Sequence, residues 1–251
     1  MTQPHWVLTL TSLVAIATGV LRTQAASPSP RETPQTIPPS IERQSYMRHH
    51  FADIAAVHAA IIRGDLAAIR VPATELARMP VPPGTLTVAV PFVVAISEGA
   101  RRALGATTVP TAAEATAFML RQCGECHAAA KASPQPPALP PPNAGAVAHM
   151  IEHQRAMDEL LQGLIVPSMA QWDRGAGRLR TAPLRPGELP TDSGLADNLR
   201  RADDRVHLIA DRAAKARTSA ARASVYGDLL TTCAECHSLH RKTRDPRSSP
   251  R

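Results

Sequence analysis

The chain is short of rings. Aromatic residues are 3% of its 251 positions: Trp6, Trp172, Tyr46, Tyr226, Phe51, Phe92 and Phe118. A core this poor in aromatics is filled by aliphatic packing or by a large flat ligand. Basic residues are absent ahead of the first apolar run, residues 6–21, and no other segment is apolar enough to cross a membrane. The charge has no one-signed body either. The formal net charge is +7, but the last eleven residues carry Arg241, Lys242, Arg244, Arg247 and Arg251 against Asp245. A near-neutral globule with a basic tail excludes nucleic-acid binding as the main role. Cysteine is scarcest in its distribution: there are four, all in two copies of one pentapeptide.

What is present begins with an export signal. The run at 6–21 is followed by Thr23-Gln24-Ala25, small residues suited to cleavage after Ala25 or Ala26. Residues 1–26 are therefore expected to be a signal peptide, and the mature chain periplasmic with no stable membrane span. The missing n-region charge keeps an uncleaved anchor as the alternative. A Pro-rich segment, 27–40, then leads to the body.

The pentapeptides are Cys123-Gly-Glu-Cys126-His127 and Cys233-Ala-Glu-Cys236-His237. Two Cys-x-x-Cys pairs suit a zinc site, which places no demand on the following residue. One pair suits a redox disulfide opening a helix after a strand. In c-type haem attachment the two thiols hold the porphyrin by thioethers, and the next residue must be His, the proximal iron ligand. His follows both pairs here, and an export signal accompanies them. The expected cofactors are two covalently bound haem c groups, held by Cys123, Cys126, His127, Cys233, Cys236 and His237.

The stretch 132–144 is rich in proline and reads as a semi-rigid linker. It separates two segments, 41–131 and 145–241, each ending in its motif; 242–251 is the basic tail. The expected fold is all-α: two tandem four-helix-bundle haem modules joined by the Pro-rich linker. In the first module helices are expected at 41–63, stopping at Gly64; from Asp65 to about Met79; from Pro91; and over about 112–131, opened by a capping box at Thr111–Glu114. In the second they are expected at about 145–165, from Ser168, at about 193–216 and at about 219–241.

Four helices with Cys-x-x-Cys-His late in the fourth resemble the cytochrome c-prime family and its low-spin, Met-ligated relatives. Arg43-Gln44-Ser-Tyr-Met47 is similar to that family's first-helix segment, and Cys236-His237 followed by Arg241 is similar to its ending. The second module lacks the Arg-Gln pair. The resemblance implies a distal methionine, here Met47 and Met150. Aligning those two brings His50 onto His153, so Met-x-x-His is shared by both first helices. Three readings stay open: Met47 and Met150 as distal ligands, favoured by the family register; His50 and His153 as distal ligands; or neither, leaving an open face. His49, His58, His149, His207 and His240 have no counterpart in register, which points to surface or structural roles. Glu125 and Glu235, inside the motifs, read as solvated.

With both axial positions filled, such a centre exchanges one electron and does not hold substrate. The expected function is a periplasmic dihaem electron carrier, not an enzyme, with transient redox protein partners. The alternative is a gas-binding (NO or CO) or weakly peroxidatic protein. The distal helices show no catalytic carboxylate for the latter.

Overall fold

The computed structural model describes residues 41–82, 84–135, 148–182, 184 and 186–244. The expected signal peptide, the Pro-rich segment to residue 40, most of the linker and the tail beyond Arg244 lie outside the described residues. Those described are all-α, with no strand among them. Eight helices follow in order: α1 (Ile41–Ile62), α2 (Arg70–Arg78), α3 (Val90–Gly105), α4 (Val109–Ala129), α5 (Ala148–Ile165), α6 (Met169–Thr181), α7 (Ser193–Lys215) and α8 (Ser219–Arg244). None is long and apolar enough to cross a membrane.

Local chemistry accounts for the boundaries. α1 ends on Gly64, whose φ of +65° is open to glycine without strain. Gly64 N–H donates to Ile61 O at 2.7 Å and Asp65 N–H to Ala60 O at 2.9 Å, the paired bonds of a Schellman stop. α3 carries Pro91 in its first turn. α6 and α7 are capped by Ser168 and Asp192, whose side chains accept from Gln171 N–H and Leu195 N–H. Two starts differ from expectation. Thr108, not Thr111, caps α4, because Pro110 is tolerated in the first turn and extends the helix backwards. Asp65 accepts from Ala68 N–H within a turn, and α2 begins only at Arg70.

Neighbouring helices pack in chain order, and the two sets of four are not separate. α4 lies along α8, α4 also meets α5, and α1 also meets α8. One apolar cluster runs through both sets, from Ile54, Val57 and Ile61 of α1 through Met119 and Leu120 of α4 to Leu160 and Leu164 of α5 and Leu229 and Leu230 of α8. Small residues permit the approach. A β-carbon on Gly227 of α8 would stand 3.5 Å from Ala117 Cβ, whereas one on Gly124 of α4 would stand 2.2 Å from the Leu164 carbonyl oxygen. The rare rings are spent at junctions: Trp172 is fully buried in α6 and donates its Nε1–H to Ala213 O of α7 at 2.8 Å.

Gly124 and Gly227 test this packing in opposite directions. Gly124→Ala is expected to destabilise by about 2 kcal/mol or more, because the obstacle is backbone. Gly227→Ala is expected to be neutral or to stabilise by up to ~1 kcal/mol through helix propensity. Urea unfolding of both variants reads the difference, and equal midpoints would contradict the close α4–α5 contact.

Candidate cofactor site

The last carbonyls of a helix have no partner within it. Those ending α1 and α5 receive the motif histidines of the other set. His127 Nδ1 lies 2.9 Å from Ile165 O, and His237 Nδ1 lies 2.8 Å from Ile62 O. A carbonyl only accepts, so Nδ1 carries the proton in each ring and the neutral ring presents Nε2 as a lone pair. Burial lowers the His127 pKa, against the opposing bond to Ile165, which keeps the ring neutral near pH 7. An imidazole oriented by its second nitrogen is the usual form of a metal-binding histidine. The register that matches Met47 to Met150 also matches Ile62 to Ile165, so the two halves repeat this arrangement.

All four cysteines are free thiols. Burial pushes Cys123 and Cys233 each up to about 12, with the second thiol of each pair adding to it. An activated dithiol needs the opposite shift. Among the described residues, no cysteine joins a group of three or more metal-binding side chains. What the motifs offer is two neutral thiols one turn apart and a neighbouring imidazole aimed through Nε2, a donor set that fits covalent haem.

The first-helix residues divide unevenly. The Tyr46 hydroxyl donates to Pro80 O at 2.9 Å, and burial, with Cys126 nearby, raises its pKa to about 12. The α1 segment holding Met47 and His50 therefore stands beside the first motif. His50 packs against Tyr46 with ring centres 4.4 Å apart and the rings tilted by 44°. Its Nε2 is buried with no hydrogen-bond partner, and burial, then His49, hold its pKa at about 4. Met47 and Met150 are both half-buried. On α5, His153 lies within electrostatic reach of His237, beside the second motif.

One residue that the sequence did not single out, Asp203, joins the second half and gathers His149 and His207 around it. Asp203 of α7 brings its Oδ1 to 3.2 Å from His149 Nε2 and 3.9 Å from His153 Nε2, and His207 Nε2 lies 3.5 Å from Asp203 Oδ2. His149 is thus buried in a polar group, which fits the structural one of the two roles expected for it. The available signal was Asp203 and His207, four residues apart on the face of α7 that also buries Val206 and Ala210. Nor are the motif glutamates merely solvated. Glu125 accepts from Ser219 Oγ at 2.7 Å, at the start of α8, and Glu235 pairs with Arg205 of α7. His49 is exposed, 3.7 Å from Asp53; the His240 side chain lies outside the described residues.

No protein-family model, curated protein or solved structure matches this chain.

His58 has a structural role, and it sets a pH dependence. Its Nε2 lies 2.7 Å from the buried Tyr226 hydroxyl, and burial lowers its pKa from 6.5 to about 4. Between those values the unfolded chain binds a proton that the folded chain refuses. Stability therefore falls as pH drops through this window, by about 3 kcal/mol in all. Urea titrations across the window are expected to show that slope reduced in His58→Gln; an unchanged slope would contradict the assignment.

Proposed function

We propose that the protein is an exported dihaem c-type cytochrome, built as two tandem haem modules, that carries single electrons between respiratory partners. The observation that carries this reading is the repeated pairing of a Cys-x-x-Cys-His motif with a helix-end carbonyl that fixes the motif histidine with Nε2 presented. When bound, the haems supply reversible one-electron exchange at iron.

The residues divide the work. Cys123 and Cys126, and Cys233 and Cys236, hold the cofactor by thioethers, which suits a chain working outside the cytoplasm. His127 and His237 would hold the iron through Nε2, and the carbonyls of Ile165 and Ile62 keep those rings from turning. His50 would offer a further donor at the first centre, supported by its buried, unpartnered Nε2. At the second centre Met150 would offer it, because His153 faces Asp203 and His149. A Met/His pair would give a higher reduction potential than a bis-His pair, so the two centres would differ in potential. Roughly 20 Å of helix separates His50 from the α1 end that holds His237, and one apolar cluster runs through both sets of helices. The partners are redox proteins that dock transiently.

Intact-mass analysis under denaturing conditions, on chain matured in a host that attaches haem, is expected to show the processed polypeptide plus two haems, and plus one in Cys233→Ser/Cys236→Ser. The unmodified protein is expected to be low-spin, and His50→Ala to open one centre to carbon monoxide. A colourless chain of bare polypeptide mass contradicts the reading. High-spin bands that shift with carbon monoxide before any substitution favour the gas-binding alternative.

A further inference from the structure

The polar group on α5 and α7 has a shape that an electron carrier does not require. At positions 46 and 50, α1 offers one imidazole, His50, with Tyr46 beside it. The matching positions of α5 offer two imidazoles, and α7 adds a carboxylate. The ligand atoms of His149, His153 and Asp203 all lie within 4.8 Å of one another. His149 and His153 are one helical turn apart, with ring centres at 4.0 Å. His153 is 7% exposed, and its Nε2 has no hydrogen-bond partner. A buried imidazole nitrogen left in that state is costly unless something supplies the missing contact.

We propose that His149, His153 and Asp203 form a binding site for a divalent first-row transition ion, with Zn2+ the best-fitting probe, distinct from the two haem irons. Two neutral imidazoles and one carboxylate are a recognised donor set for such ions, and three protein donors leave a position open to water or a small ligand. Burial, then His149, hold the His153 ring neutral, with a pKa of about 3. Burial alone would raise the Asp203 carboxyl, but His149, His207 and His153 around it hold it below its ordinary value. His207 takes up the other carboxylate oxygen, so that Oδ1 faces the histidine pair. Glu188 accepts from the His149 backbone N–H at 3.2 Å and steadies the start of α5. A cavity of about 300 Å³, lined by Leu184, Leu189, Arg200, Asp203 and Asp204, adjoins the carboxylate.

The site stands independently of the haem reading, except that it leaves Met150 as the distal donor of the second centre. The test is equilibrium dialysis of the haem-loaded full chain, first stripped with a chelator, against Zn2+. One Zn2+ per chain is expected. Asp203→Asn and His149→Ala are each expected to weaken binding roughly 10- to 100-fold, with the visible spectrum unchanged by the ion. In the unmodified chain the thermal midpoint is expected to rise with Zn2+ concentration, a readout that needs no variant to fold. The proposal is overturned by the absence of saturable binding, by binding that both substitutions leave intact, or by haem bands that move when Zn2+ enters, which would put His153 on iron. A colourless chain that still binds one Zn2+ would sink the haem reading and leave the cation site standing.

Discussion

Two hydrogen bonds organise the molecule. His127 of α4 donates to the end of α5, and His237 of α8 donates to the end of α1. Each satisfies a carbonyl that its helix cannot satisfy alone, and each turns a histidine so that Nε2 is the nitrogen left to act. Because donor and acceptor belong to different sets of four helices, the same bonds tie the sets together. The helix ends have further anchors on α8. Arg222 donates to Gly163 O at 3.0 Å, and Arg241 donates to Arg63 O. Gly124 is forced by this closeness, since the Leu164 carbonyl occupies the space a β-carbon would need.

The near-symmetry breaks where the side chains differ. Register pairs Tyr46 with His149 and His50 with His153, yet one half keeps a lone imidazole beside a phenol and the other gathers two imidazoles around a carboxylate. A relay between unlike centres has a direction, whereas one between identical centres does not. On the proposed reading, the two centres would differ in potential, and the second lies beside a site that carries its own charge. Burial pushes the Cys123 and Cys233 thiols up alike, so the motif cysteines do not distinguish the two halves.

The helical class and most helix limits were legible because their determinants are local. Gly64 ends α1, Pro91 opens α3, and Ser168 caps α6, each through a neighbour a few residues away. The α4 start was misplaced because two threonines, Thr108 and Thr111, compete as caps, and a proline between them reads as a breaker although it is harmless in a first turn. The motifs were legible as residues but not as a site. Ile62 and Ile165 act through backbone oxygens, which no residue type advertises. Asp203 was invisible because it belongs to a charged helix, and only packing decides which of its acids turns inward. For the same reason the sequence left His149 between a surface and a structural role, and only packing shows it buried beside Asp203.

The most direct test of the central claim is the protonation of the two motif rings, read by 15N-edited NMR of the exported chain in its reduced, diamagnetic form. The account predicts that His127 and His237 each hold a slowly exchanging proton on Nδ1 and none on Nε2. A proton on Nε2 of either ring, or rapid exchange at Nδ1, would contradict it.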